Sequence, residues 1–325
     1  MRVTNQGLLN SILLGLQRNI TQLEDHQSRI ASGKRVLQPA DDPAATVKIL
    51  DLRSAMVEAN QYKANCEDGS DWLEQTDNTI SLMETAVQRV REIAVSASTG
   101  TNSVSAYQAL ASELKQIVDG LADLGNTKVG DLYIFSGEAV NTKPVVQEAD
   151  PVTGKMHYVY KGATGGQAAL VRQIAPGVDL PINVTAEDLL FGASGLLPSL
   201  EKLTDALTVL GSDTSTDAER QAALAVVKGD PAATPPVPGA LDLLGQAENE
   251  VLRLHTDVGA RVKRLEAAIA RNDAMIDGLT KLVSKQEDLD VPKAILELAT
   301  IDSSYKLSLQ MGARIVQPTL LDFLR

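Results

Sequence analysis

The feature that most constrains this chain is a three-and-four spacing of apolar residues near both ends of the sequence. Leu9, Ile12, Leu16, Asn19, Leu23, His26 and Ile30 step by alternating threes and fours, and so do Val291, Ile295, Leu298, Asp302, Tyr305, Leu309, Gly312 and Val316. Such steps put side chains on one stripe of an α-helix, the a/d seam of a coiled coil. A helix with a single apolar stripe draws most of its stability from a partner. Each stripe therefore needs the other, the central helices, or another copy of the chain. Asn19 and His26 lie within the first stripe, where polar residues weaken a seam and restrict its register.

Local signals bound these helices and place others between them. Gly33 suits the left-handed position that closes a helix, with Lys34 and Arg35 just beyond. Pro318 ends the second terminal helix, and Leu320, Leu321, Phe323 and Leu324 form an apolar tail. Asp42-Pro43 reads as N-cap and first helical residue of a helix running to about Ser98. Asn65-Cys66-Glu67-Asp68-Gly69-Ser70 predicts a bend or break in it, and a clean seam follows at Leu73, Thr76, Ile80, Met83, Val87, Val90 and Ala94. Tyr107 to Leu124 and Val251 to Val283 carry two further helical patterns.

From about Asp131 to Phe191 the helical period gives way to short β-prone runs. Val145-Val146-Gln147 and His157-Tyr158-Val159-Tyr160 flank Asp150-Pro151-Val152-Thr153-Gly154, a hairpin signal. Helical spacing returns over Leu196 to Leu210 and Ala218 to Lys228, before a loop with four prolines between Gly229 and Gly239. The expected fold is mainly α: a long helical bundle or coiled-coil-like domain built from residues 1–139 and 241–325, with an α+β module inserted at 140–240.

The chemistry-bearing residues are few and scattered. Lys and Arg total 30 against 42 Asp and Glu, a net charge of −12, with ten aromatic residues, which argues against a nucleic-acid binder. The single cysteine, Cys66, cannot close an intrachain disulfide, and His26, His157 and His255 have no metal-motif spacing. No apolar run is long enough to span a membrane. Leu8 to Leu16, interrupted by Asn10 and Ser11, is not expected to be a cleaved leader. Asp41-Asp42 reads as a helix cap rather than a metal site, Gly162 to Gly166 as a turn, and Gly192 to Gly195 as a loop that misses the nucleophile-elbow spacing. No catalytic residue, cofactor or metal is expected, and the chain is not read as an enzyme. Seams whose interacting faces do not close into a ring build an open helical array.

Two segments carry a resemblance. Gln27-Ser28-Arg29-Ile30-Ala31-Ser32-Gly33-Lys34-Arg35-Val36, followed by Pro39-Ala40-Asp41-Asp42-Pro43-Ala44, resembles the N-terminal signature of the bacterial flagellin family. Gly130 to Gly137, containing Phe135, Ser136 and Gly137, resembles a segment of the members found at the junction of hook and filament, and residues 265–325 resemble the family's C-terminal helical end. The resemblance covers roughly residues 1–140 and 245–325. It implies a structural adaptor that joins hook to filament by helical self-assembly, outside the cell, after export through the flagellar type III channel. It implies as partners other copies of the chain, the hook-side junction protein (hook-associated protein 1), flagellin, and an export chaperone before secretion, with neither nucleic acid nor membrane insertion. The residues expected to make the assembly contacts are Leu9, Ile12, Leu16, Leu23, Ile30, Ile295, Leu298, Tyr305, Leu309, Val316, Leu320, Leu321, Phe323 and Leu324. A filament-forming flagellin is the alternative, and a cytosolic coiled-coil interaction protein a more distant one. Tyr133 to Gly137 and the ending Leu320 to Arg325 argue against flagellin itself.

Overall fold

Period-3.5 spacing becomes helix almost wherever it occurs. The computed structural model describes residues 2–99, 102–151, 154–165, 168–192, 195–229 and 238–316. In chain order the elements are α1 (Arg2–Ser32), α2 (Pro43–Ser98), α3 (Val104–Gly125), β1 (Lys128–Val129), β2 (Leu132–Tyr133), β3 (Val145–Ala149), β4 (Met156–Tyr160), β5 (Val171–Ala175), β6 (Val178–Pro181), a π-turn (Glu187–Phe191), α4 (Leu196–Leu210), α5 (Asp217–Lys228), α6 (Ala240–Glu287) and α7 (Val291–Val316). The expected class, mainly α with an inserted α+β module, holds, the β part being small hairpins.

Sequence punctuation explains the helix limits. Gly33 has φ +71°, a conformation that residues with a Cβ rarely adopt, and α1 ends before it. Asp42 Oδ1 accepts from the Ala45 amide at 3.0 Å, which makes Asp42 the N-cap and Pro43 the first residue of α2. Ser103 caps α3 by accepting from the Ala106 amide.

The chain divides into two compact units. One takes the residues up to Asn60 and from Asp273 onward, and the other is Gln61–Asn272. The borders fall within α2 and α6, which each contribute to both units.

The unit Gln61–Asn272 holds the large core. On α2, Cys66, Gly69, Leu73, Thr76, Ile80, Met83, Val87, Val90, Ala94 and Ala97 are all buried in unbroken a/d spacing. On α6 the matching stripe runs through Ala240, Leu244, Ala247, Val251, Leu254, Val258, Leu265 and Ala268. Arg261 takes the stripe position between Val258 and Leu265 and donates to the Asn183 carbonyl at 2.8 Å. Leu114, Leu121, Val145, Ile182, Leu200 and Leu207 belong to the same core, so α3, the hairpins and α4 pack into one body with the long helices. The six strands make three separate antiparallel pairs, β1–β2, β3–β4 and β5–β6.

The expected bend at 65–70 does not occur, since α2 is continuous helix there. Gly69 has a packing reason instead. A Cβ at this position would lie 2.9 Å from Ile182 Cγ2 and 3.3 Å from Leu265 Cδ1. Gly69 is the point of close approach that lets the β6–π-turn segment and α6 reach the α2 backbone.

The other unit has a thin core. Its buried apolar residues among those described are Val36, Ala45, Ile49, Ala59 and Ala294, and Glu287 is buried with them.

Candidate assembly surface

Helices α1 and α7 pair antiparallel, α1 through its expected stripe and α7 through a stripe that only partly overlaps the expected one. Gly312 lies against Ile12, where an added Cβ would be 3.6 Å from Ile12 Cγ2. Asn19 Nδ2 donates to Ser308 Oγ at 3.3 Å, and His26 Nδ1 lies 3.9 Å from a Glu297 oxygen. Both polar residues of the α1 stripe thus have polar neighbours on α7, and the Asn19 hydrogen bond ties register to that one contact. Ile12, Leu16, Leu23 and Ile30 are half-buried along this line.

On α7 the covered stripe is Ala294, Leu298, Ile301, Tyr305, Ser308 and Gly312. Leu298 and Tyr305 of the expected assembly set lie on it. Ile295 and Leu309 do not, and remain 52% and 43% exposed. Two three-and-four stripes overlap on this helix and share Leu298, Tyr305 and Gly312, so spacing alone does not choose between them. Leu9 and Val316 lie within α1 and α7, but their side chains fall outside the described residues, as do Leu320, Leu321, Phe323 and Leu324 altogether.

The pair leaves large apolar side chains in water. Leu13, Leu14 and Ile20 on α1, and Ile295, Leu296, Leu307, Leu309 and Met311 on α7, are exposed. These eight exposed large apolar side chains lie on this helical pair, on more than one side of α7.

The motif after α1 is a joint. The Arg35 amide donates to the Glu287 carbonyl at 2.7 Å, and the Leu289 amide to the Gly33 carbonyl at 2.9 Å, so the α1–α2 turn pairs with the α6–α7 turn through main chain. Arg35 donates to the Gln286 carbonyl at 3.0 Å and to Asp42 Oδ2 at 3.1 Å. Asp41 Oδ2 accepts from the Leu37 and Gln38 amides, each at 3.0 Å, and its other oxygen faces Arg29. Ser32 Oγ donates to the Arg29 carbonyl at 3.1 Å. These amides, with Arg29 beside them, hold the Asp41 carboxyl below its ordinary value, and the Ala45 amide and Arg35 do the same for Asp42. Ion pairs from Lys34 and Arg53 converge on Glu287 and push its carboxyl down against the opposing effect of burial. Ser32, Gly33, Arg35, Asp41, Asp42 and Pro43 therefore form a structural elbow whose polar groups satisfy one another. Sequence reading missed Lys34, Arg53, Gln286 and Glu287 as its partners. The charges of Lys34, Arg53 and Glu287 hinted at it, and nothing in the sequence pointed to the Gln286 carbonyl.

The second motif is a core plug. Phe135 and Ser136 are fully buried, and Gly137 has φ +66°. The Ala186 amide donates to the Phe135 carbonyl at 2.9 Å, the Ala163 amide to the Ser136 carbonyl at 2.8 Å, and Ser136 Oγ to the Tyr133 carbonyl at 3.1 Å. Three loops are tied together at this point. No group of three or more His, Cys, Asp or Glu among the described residues could hold a metal ion. No described helix is long and apolar enough to cross a membrane.

The features that stand out are a helical pair with exposed apolar side chains and a hydrogen-bonded elbow at its base, with no catalytic or metal cluster among the described residues. Residues 3–139 match the family model described as the bacterial flagellin N-terminal helical region. Along most of its length the chain is similar to flagellar hook-associated protein 3 of Escherichia coli (strain K12), 24% identical over 318 residues, covering 94% of this chain and 95% of that protein. It is also similar to flagellin of Bacillus subtilis (strain 168), 23% identical, covering 91% of this chain and 90% of that protein. The fold is that of the crystal structure of flagellar hook-associated protein 3 from Legionella pneumophila, with a TM-score of 0.60, 15% identity, and coverage of 73% of this chain and 98% of that one. The resemblance to the flagellin family, and within it to hook-associated protein 3, holds.

Proposed function

We propose that the protein is a structural junction subunit of the bacterial flagellum, joining hook to filament by helical self-assembly. The observation that carries this reading is the similarity to hook-associated protein 3 across 94% of the chain. The exposed apolar face of α1 and α7 supports it, because it supplies the contact surface that such a subunit needs. On this reading the molecule works through surfaces without catalysis or cofactor. It lies outside the cell, at the hook–filament junction, after flagellar export. Its partners are other copies of itself, hook-associated protein 1 on the hook side, flagellin on the filament side, and a chaperone before export. Of the residues of the assembly seams, Ile12, Leu16, Leu23, Ile30, Leu298 and Tyr305 hold α1 against α7 within the chain, and Leu9, Ile295, Leu309 and Val316, with the tail Leu320, Leu321, Phe323 and Leu324, meet other subunits. Residues 1–139 and 241–325 form the assembly segments, and 140–240 is a spacer carried between them.

Electron microscopy of cells lacking the protein tests the reading. Intact hooks without filaments are expected, and filaments of normal number and length would overturn it. A second reading, a filament subunit, is favoured by the similarity to the Bacillus subtilis flagellin. Growth of long filaments from the purified chain alone would select that reading.

A further inference from the structure

One polar cluster lies in the large unit, away from the terminal helices. His255 of α6 stands between two carboxylates of α2, with Nδ1 2.8 Å from Glu84 Oε1 and Nε2 3.0 Å from Asp77 Oδ1. Asp77 and Glu84 are seven residues apart, two turns of one helix, so they flank the imidazole on a single face. That face borders the buried stripe of Thr76, Ile80 and Met83. All three side chains are partly sheltered, with 26% exposure for His255, 42% for Asp77 and 21% for Glu84.

The donor count makes this arrangement unusual. An ionised carboxylate only accepts hydrogen bonds, and a neutral imidazole offers one N–H. Both contacts are hydrogen bonds only when both ring nitrogens carry hydrogen. With one hydrogen removed, a ring lone pair faces a carboxylate oxygen, and two carboxylates flank an uncharged ring. The neighbouring charges are already engaged: Arg91 with Glu248 at 2.7 Å, Arg253 with Glu250 at 2.6 Å, Arg261 with Asp257, and Arg89 with Glu92 and Glu113. Asp188 of the π-turn acts on Arg253. Among the described ion pairs, His255 is the sole partner of Asp77 and of Glu84.

We propose that His255, Asp77 and Glu84 form a proton-operated clip between α6 and α2. Protonated, the imidazole ties both turns of α2 to α6. Deprotonated, it releases one turn and leaves the two carboxylates without a shared counter-charge. Imidazole is the side chain whose charge ordinarily changes between pH 5 and 8. The pair of long helices is therefore firmer in mildly acidic than in mildly alkaline surroundings, opposite to the trend that carboxylate ion pairs impose. This inference concerns the large unit and stands whether the subunit is a junction protein or a flagellin.

The test uses the full chain and its His255→Gln variant, melted at pH 5.5 and pH 8.5. The parent is expected to melt above the variant by roughly 2–4 °C at pH 5.5, the scale for losing about one hydrogen bond in a domain of this size, with the difference shrinking toward zero at pH 8.5. An equal difference at both pH values would overturn the clip. Nitrogen NMR of the histidine-labelled parent keeps the proposal testable even if the variant fails to fold. With three histidines in the chain, His255 is assignable. At pH 5.5 both of its ring N–H protons should be visible, slow to exchange with water and in contact with Asp77 and Glu84, and a ring without those two contacts would reject the proposal.

Discussion

Arg53 donates through Nη2 to both carboxylate oxygens of Glu287, at 2.9 and 2.7 Å, across 234 residues of sequence. Lys34 meets the same carboxylate from the α1–α2 turn. This three-membered ion group fastens the turn after α1 to the end of α6, while the main chains of the two turns pair alongside. The Glu287 carboxyl is held below its ordinary value of 4.5, chiefly by the Lys34 hydrogen bond and then by Arg53. A carboxyl lowered by folding adds stability at pH above its unfolded value and loses that contribution as pH falls through its folded value. Glu287→Gln should therefore destabilise the chain at pH 7, toward the lower end of about 1.5–3 kcal/mol because both cations are half in water. The gap between parent and variant should narrow as the pH falls below the ordinary carboxylate range. Denaturant unfolding followed down through that range checks this, and a gap that does not narrow would mean the loss is not electrostatic.

Gly69 and Gly120 should respond oppositely to the same substitution. Ala raises helix propensity by about 1 kcal/mol at either site. At Gly120 nothing lies within 4 Å of the added Cβ, so Gly120→Ala should stabilise. At Gly69 the Cβ meets Ile182 and Leu265, and overpacking of a filled site costs about 1–3 kcal/mol. Gly69→Ala should lower the melting midpoint. A rise at both positions would show that α2 has room there.

Asp42 has two separable tasks, capping α2 through the Ala45 amide and pairing with Arg35. Asn keeps the cap and gives up the charge, and Ala gives up both. Thermal melting should rank the parent first, Asp42→Asn close behind it, and Asp42→Ala last. Equal losses for the two variants would show that the cap contributes nothing beyond the ion pair.

Much of this architecture was legible because it is local. Gly33, the Asp42-Pro43 start and the stripe from Leu73 to Ala94 each act within a few residues, and all appear where the sequence puts them. The failures have a shared cause in distance. Asn65 to Ser70 looks like a helix breaker by composition, but the contact of Gly69 with Ile182 and Leu265 overrides propensity. Gln286 and Glu287, on which the elbow closes, lie about 250 residues from it, and no spacing rule links Arg35 to Gln286. On α7 the two overlapping stripes fit the same pattern, and only the position of α1 decides that Ile301 and Ser308 turn inward while Ile295 and Leu309 turn out.

The thin core beside α1 and α7 sets their dynamics. No described side chain of α1 is fully buried, and Ala294 is the one such residue on α7 among those described. Amides of both helices should exchange orders of magnitude faster in dilute monomer than those of Leu73 to Ala94, because local opening requires little apolar exposure. Hydrogen exchange read by mass spectrometry checks this. Equal protection of the two regions would mean that the helical pair is as firm as the large core.

The central claim is that the outward face of the terminal helices makes the junction. Leu309, exposed in the free chain, is the residue to change, because Asp there leaves the interior untouched but puts a charge into an apolar contact once subunits meet. The measurement is electron microscopy of cells producing Leu309→Asp protein, together with flagellin in the culture supernatant. The account predicts that the variant is made, exported and melts like the parent, while hooks stay bare and flagellin is shed into the medium. Normal filaments on those cells would contradict it.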